Sequence, residues 1–207
     1  GGLGLPDRDY YLGDNFAKQR EAYAVHMQKM LGMLGESTNQ AGSNATAVLS
    51  FETALAKASR PRVELRDPIA NYHKFAVVDL VSAYPDLPVT HYLETCGLTK
   101  VQDVIVRQPE FFKALGQLAT QRAIEEWKAY LRWTLLRTTA QYLHSAAESE
   151  WFEFYGRVLR DQKEQEPRWQ RAARVIDAEI GEALGQLYVS ECFPTSAKDR
   201  MTKLVEN

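Results

Sequence analysis

Residues 122–143 read RAIEEWKAYLRWTLLRTTAQYL, a stretch without glycine or proline. Its apolar residues recur at steps of three and four, the spacing that places side chains on one face of an α-helix. One stripe runs through Ile124, Trp127, Leu131, Leu135, Thr138 and Tyr142, and a further strip contains Tyr130, Trp133 and Leu136. Because apolar surface covers more than one face, this stretch predicts a long helix at the centre of the fold.

Two helical stripes precede this stretch. The first spans residues 16–34 and follows Asp14, a residue type that caps helices. Residues 35–43 are rich in glycine, serine, asparagine and threonine, a composition typical of a loop. A second stripe then covers residues 48–58. The pattern predicts a helical hairpin.

Helical signals continue downstream. Ser145 and Glu148 fit a capping box, in which both side chains bind backbone amides at a helix start, ahead of an aromatic-rich helix. Pro167 suits the first turn of another helix, and Phe193 and Pro194 end that helix.

The middle of the chain is more broken. Asp67 followed by Pro68 predicts a helix start, after which short helices are expected. The run from Val101 to Val106 is the one strand-like segment, and it is short. The predicted fold class is therefore all-α, an irregular multi-helix domain over residues 1–207 with at most a minor strand near Val101–Val106.

Composition limits the classes of partner. Lysine and arginine number 25 and aspartate and glutamate 27, which gives a net charge of -2, and no basic block is present. Nucleic acid is therefore not an expected partner. No apolar run approaches the ~20 residues that span a bilayer. Cys96 and Cys192 are too few for a disulfide framework, and the sequence does not decide whether they are free.

The sequence contains four histidines, His26, His73, His91 and His144, and their spacing decides whether they can be metal ligands. A hydrolytic zinc site on a helix needs two histidines one turn apart and a glutamate as general base, and no histidine here has another four residues on. His144 and Glu148 have the spacing of two ligands, but a cap at Ser145 places His144 outside the helix. The sequence therefore predicts no catalytic residue and no metal ligand, and it identifies no substrate-binding residue.

Several motifs resemble those of one protein family in the same order. They are GLGLPDRDYYL at 2–12, RVELRDP at 62–68, YHKF at 72–75, WKAYLRW at 127–133, FEFYGR at 152–157, RWQR at 168–171 and EALGQLYV at 182–189. Together they are similar to the neprilysin family of zinc metalloendopeptidases. His73 and Phe75 depart from the family pattern of asparagine and methionine. Ala172 stands where many relatives carry cysteine, which favours a bacterial member, since these often lack the animal disulfides.

The resemblance implies a role without catalysis. Family members carry zinc in a thermolysin-like catalytic domain, and a helical domain faces it across a chamber that restricts access to oligopeptides. This chain resembles most of that helical domain, so its expected partners are the catalytic domain of the same polypeptide and, in the full enzyme, oligopeptide substrates. The resemblance also implies a periplasmic or extracytoplasmic location and zinc in the parent enzyme.

A helix that begins near Ser196 has only a few apolar residues before Asn207, so we expect the chain to be a fragment of a larger metallopeptidase. The alternative is a stand-alone helical interaction module that lost the catalytic domain. The chain alone is expected to be inactive.

Overall fold

The computed structural model describes residues 2–206, which form two compact units that divide between Gln162 and Lys163. The first unit contains α1 (Asp9–Leu12), α2 (Ala17–Met33), α3 (Thr38–Ala58), β1 (Lys74–Ala76), α4 (Val77–Ala83), α5 (Val89–Thr95), β2 (Asp103–Ile105), α6 (Pro109–Gln121), α7 (Ile124–Thr139) and α8 (Ser145–Trp151). The second unit contains α9 (Arg168–Cys192) and α10 (Thr195–Glu206). The predicted all-α class is confirmed, and a single domain over residues 1–207 stays a prediction.

The hairpin of α2 and α3 is confirmed, but its loop is shorter than predicted. Gly35 adopts a left-handed conformation, with φ of +89°. The Ser37 side chain then caps α3 by accepting a hydrogen bond from the Gln40 amide. The predicted loop at residues 35–43 was wrong from residue 38 onward, because Ala41 and the helix around it pack into the core.

The central position of α7 is confirmed, but only one of its apolar faces is buried. Its buried residues are Ala129, Tyr130, Trp133 and Leu136. Ile124, Leu131 and Leu135 are instead 66%, 58% and 66% exposed. Both faces are apolar in sequence, and the packing of α7 against α2 and α3 selects the aromatic face.

Strands β1 and β2 pair in an antiparallel register, with Phe75 opposite Val104. The strand expected at residues 101–106 is thus present as β2, and its partner β1 was not predicted. The predicted helix start at Asp67 was wrong. The Asp67 carboxylate accepts hydrogen bonds from the amides of Ile69 and Ala70, which closes a turn that does not continue as a helix.

The N-terminal cap of helix α8 lies one residue earlier than predicted. The cap is His144, whose Nδ1 accepts a hydrogen bond from the Ala147 amide at 3.3 Å, so the predicted capping role of Ser145 was wrong. A π-helical segment, Phe152–Val158, continues α8 and buries Phe154 and Tyr155.

The second unit confirms both predicted boundaries of α9. Pro167 is its N-terminal cap residue, and the helix stops before Phe193. Ile180 has non-helical angles, φ of -133° and ψ of 31°, which kink the helix. Among residues 2–206 no helix is long and apolar enough to cross a lipid bilayer.

Candidate functional site

Near its end, the N-terminal motif at residues 2–12 contains a buried tyrosine, Tyr11, that binds the backbone of the motif itself. The Tyr11 hydroxyl accepts hydrogen bonds from the amides of Gly4, at 3.0 Å, and Leu5, at 2.9 Å. The same hydroxyl donates to Glu52 Oε2 at 2.8 Å. Residues 2–5 are therefore fastened to α3 through one side chain.

Glu52 is the centre of this arrangement. It lies on the core face of α3 and is 1% exposed. The Tyr23 hydroxyl donates to Glu52 Oε2 at 3.0 Å and accepts a hydrogen bond from Trp133 Nε1 at 2.7 Å. Each polar group of this buried hydrogen-bond network has a partner, which is the condition under which polar groups are tolerated in a core.

Burial governs the protonation of the cluster. Loss of water raises the pKa of Glu52 from 4.5 to about 7, although the hydrogen bonds from Tyr11 and Tyr23 and the charge of Arg137 act in the opposite direction. Burial, and then the Glu52 charge, also raise the pKa of Tyr23 well above its usual value. Neither tyrosine is therefore ionised at neutral pH.

Two further tyrosines hold the carbonyl groups of the same segment. The Tyr130 hydroxyl donates to the Gly2 carbonyl at 2.8 Å, and the Tyr155 hydroxyl donates to the Gly4 carbonyl at 3.2 Å. Residues 2–5 thus contact α1, α7 and the π-helical segment. The motif has a structural role in this unit, since its polar groups are used for anchoring.

The four histidines differ in burial. His26 is 2% exposed, its Nδ1 lies 3.0 Å from Glu150 Oε1, and its ring stacks on Phe154 at 4.8 Å between centroids. Burial lowers the pKa of His26, so the ring is neutral and its Nδ1–H donates to the carboxylate. His73 is partly buried, and His91 and His144 are exposed. A helical position beside a tyrosine predicts a partly buried, structural histidine at His91, and this prediction was wrong.

Residues 2–206 do not supply the ligand set of a zinc ion. Within residues 2–206 no three histidine, cysteine, aspartate or glutamate side chains come together as a ligand set. His144 uses its Nδ1 for the cap of α8, which separates it from the role of a ligand with Glu148. A protein zinc site requires at least three such ligands.

A surface cavity of about 280 Å³ lies beside Arg60, His73 and Glu110. The Arg60 guanidinium donates there to Glu64, to the Ala70 carbonyl and to Asn71 Oδ1, at 2.9 to 3.2 Å. These bonds fix the loop between α3 and β1. Arg60 is thus used for structure in this cavity.

The outer face of α7 is both apolar and exposed. Ile124, Leu131 and Leu135 project from it at helical spacing, and Tyr142, in the turn that follows, is 64% exposed. We call these four residues the α7 face. An exposed apolar stripe of this kind marks a contact surface more often than a lone exposed leucine does.

Sequence reasoning missed Glu52. A signal was present, because Glu52 stands four residues after Val48 and one after Phe51, on the face of α3 that the apolar spacing assigns to the core. A carboxylate at such a position requires partners. Tyr11 and Tyr23 could not be identified as those partners, since they lie 41 and 29 residues away.

These features define a mainly helical chain whose glycine-rich N-terminal motif is anchored in the first unit, with no zinc ligand set among residues 2–206. The model of peptidase family M13 matches residues 1–207. The chain belongs to this family, the neprilysin family that the motifs predicted.

Two human proteins illustrate the similarity in sequence. Endothelin-converting enzyme 1 is 27% identical over 212 residues, which cover 99% of this chain and 27% of that protein. Membrane metallo-endopeptidase-like 1 is 27% identical over 219 residues, covering 99% of this chain and 28% of that protein. The chain therefore spans under a third of the length of these relatives.

Solved structures are similar over the same range. The Mycobacterium tuberculosis zinc metalloprotease Zmp1 in its open state has a TM-score of 0.92 and 31% identity, covering 100% of this chain and 32% of Zmp1. Zmp1 in complex with an inhibitor also gives 0.92 and 31%. PepO from Lactobacillus rhamnosis has a TM-score of 0.82 at 20% identity, which supports the fold alone.

Proposed function

We propose that this chain forms a helical, non-catalytic domain of a neprilysin-like zinc endopeptidase, and that the parent protein hydrolyses peptide bonds. The observation that carries the proposal is the similarity to Zmp1 over the full chain, at 31% identity and a TM-score of 0.92. Zmp1 is described as a zinc metalloprotease, and this chain corresponds to 32% of it.

The zinc belongs to another part of the parent polypeptide in this proposal. Peptide hydrolysis by zinc needs three protein ligands, a general base and an open position for water. Two histidines of this chain have contacts that support a structural role for them. The buried His26 is bound to Glu150, and His144 caps a helix.

The α7 face is our candidate for contact with the rest of the parent enzyme. Its side chains are more than half exposed, although they have the spacing and apolar character of a packed helix face. In the parent, this domain and the catalytic domain enclose a chamber that admits oligopeptides and excludes folded proteins by size. We propose a periplasmic or extracytoplasmic location for that enzyme. The alternative of a stand-alone interaction module is not favoured, because two of the similar proteins are named as a metallo-endopeptidase-like protein and a zinc metalloprotease.

The first test measures zinc content and peptide cleavage in the purified chain and in the parent protein. We expect the parent to hold one zinc ion per molecule and to lose its hydrolysis on addition of a chelator. We expect the isolated chain to hold no stoichiometric zinc and to cleave nothing. Chelator-sensitive cleavage by the isolated chain would overturn the proposal.

A second test changes the α7 face in the parent enzyme. Leu135→Asp should reduce kcat/KM for oligopeptides, because it puts a charge into the proposed contact surface. Glu125→Lys is the control and should have little effect, because Glu125 is 75% exposed and lies about 100° around the same helix from Ile124, away from the α7 face. Equal activities in the two variants would show that the α7 face does not contact the catalytic part.

A further inference from the structure

Residues 2–5 lie directly over the carboxyl group of Glu52. A methyl group added at Gly4 would come within 3.1 Å of Glu52 Oε1 and 1.7 Å of the Tyr23 hydroxyl oxygen. The backbone of this segment thus covers a carboxyl group that is 1% exposed. We call residues 2–5, together with Tyr11, Tyr23 and Glu52, the Glu52 clasp.

Every element around Glu52 contributes a polar or charged group. Tyr11 comes from α1, Tyr23 from α2, Tyr130 and Arg137 from α7, and Tyr155 from the π-helical segment. Arg137 is the cation whose charge favours ionised Glu52, and the three tyrosines Tyr11, Tyr23 and Tyr155 have raised pKa values through burial. Glu52 is therefore the group of this set that changes charge near neutral pH.

The hydroxyl groups can satisfy Glu52 in both protonation states. When Glu52 is ionised, Tyr11 and Tyr23 both donate to the carboxylate. When Glu52 carries a proton, it can donate a hydrogen bond to the Tyr23 oxygen. The Tyr23 hydroxyl can then donate to the Tyr155 oxygen, which is within hydrogen-bonding reach of Tyr23. Tyr155 then still donates to the Gly4 carbonyl. Only the ionised state places an unsolvated charge beneath residues 2–5.

We propose that the Glu52 clasp is proton-linked: a proton on Glu52 strengthens the hold on residues 2–5, and its loss weakens that hold. Opening of the segment admits water to the carboxyl group, and a hydrated carboxylate is stable where a buried one is not. Opening and ionisation therefore favour each other.

The sign of the pH dependence follows from the two pKa values. The pKa is about 7 in the closed clasp and 4.5, the ordinary value, in the open one. The opening equilibrium is thus smallest below about pH 4.5, rises with pH between the two values, and is constant above about pH 7. The 2.5-unit difference sets an upper limit of roughly 300-fold on the rise.

Hydrogen exchange at the Gly4 and Leu5 amides tests this proposal, since both amides donate to Tyr11. Protection factors would be measured by NMR between pH 5 and 8, corrected for the intrinsic pH dependence of exchange. We expect protection to fall at least about 10-fold over this range in the wild type and to stay constant in Glu52→Gln. Constant protection in the wild type, or an equal fall in Glu52→Gln, would overturn the proposal.

Tyr130→Phe is the matched control, because it removes the bond to the Gly2 carbonyl and keeps Glu52. It should lower protection by the same factor at every pH, and a lost pH dependence would contradict the assigned role of Glu52. Infrared spectroscopy of the wild type gives an independent measurement that holds even if Glu52→Gln does not fold. We expect the absorption of one protonated carboxylic acid at pH 6 that disappears by pH 8. Its absence at pH 6 would also refute the proposal.

Discussion

Gly4→Ala should be among the most destabilising single-methyl changes in this protein. The added carbon would lie 1.7 Å from the Tyr23 hydroxyl oxygen and 2.7 Å from Cζ of the same ring. Tyr23 is 0% exposed and is held between Trp133 and Phe154, with ring centroids at 5.8 and 5.3 Å. The ring therefore has no free volume into which it can rotate.

Relief of this clash breaks hydrogen bonds in either direction. If Tyr23 moves, its bonds to Glu52 and Trp133 are lost; if residues 2–5 move outward, Tyr11 loses the Gly4 and Leu5 amides. Overpacking costs about 1–3 kcal/mol. Loss of one bond to a charged group and one neutral bond adds about 2–4 kcal/mol. We therefore expect the free energy of unfolding to fall by about 3–7 kcal/mol.

Urea unfolding, followed by circular dichroism and by tryptophan fluorescence, measures this loss. Gly42→Ala is the control, because Gly42 lies within α3 and a methyl group there meets no atom within 4 Å. Alanine should raise the stability of α3 by up to about 1 kcal/mol. A loss below about 1 kcal/mol in Gly4→Ala would show that residues 2–5 are not held against Tyr23 as described.

Three other measurements follow from the structure. His26, whose pKa burial lowers, should remain mostly neutral in the folded chain at pH 6.5, so its contribution to stability is present above pH 6.5 and lost as pH falls further; an NMR titration with the ring half charged at pH 6.5 would contradict this. Trp133→Phe should cost about 1–3 kcal/mol in urea unfolding, because the 2.7 Å bond to Tyr23 is lost, and an unchanged midpoint would contradict that bond. Lys128→Ala breaks a pair with Glu125 in which both side chains are more than half exposed, and a cost above about 1 kcal/mol would be unexpected.

The boundaries that sequence predicted correctly depend on local chemistry. Proline cannot donate a backbone hydrogen bond, so Pro167 suits the start of α9 wherever the rest of the chain lies. The end of α2 just before Gly35 is also set locally, since the φ of +89° at Gly35 favours glycine.

Features that depend on distant residues could not be read from the sequence in this way. The three residues of β1 are ordered by pairing with β2, about 30 residues later, and their own sequence carries no strand pattern. The buried face of α7 was decided by packing against α2 and α3, because both of its faces are apolar. Within the candidate site, the α7 face was identified in sequence as apolar but not as exposed, and the Glu52 clasp was not identified.

The bonds of residues 2–5 also have a consequence for biosynthesis. Gly2 and Gly4 bind tyrosines that follow them by 128 and 151 residues. At about 5–20 residues per second, a ribosome needs roughly 6 to 30 seconds to add such a length of chain. Until Tyr155 leaves the exit tunnel, the Gly4 carbonyl lacks its tyrosine partner, and the nascent glycine-rich motif is only partly anchored. Completion of the first unit must therefore follow the synthesis of Tyr155.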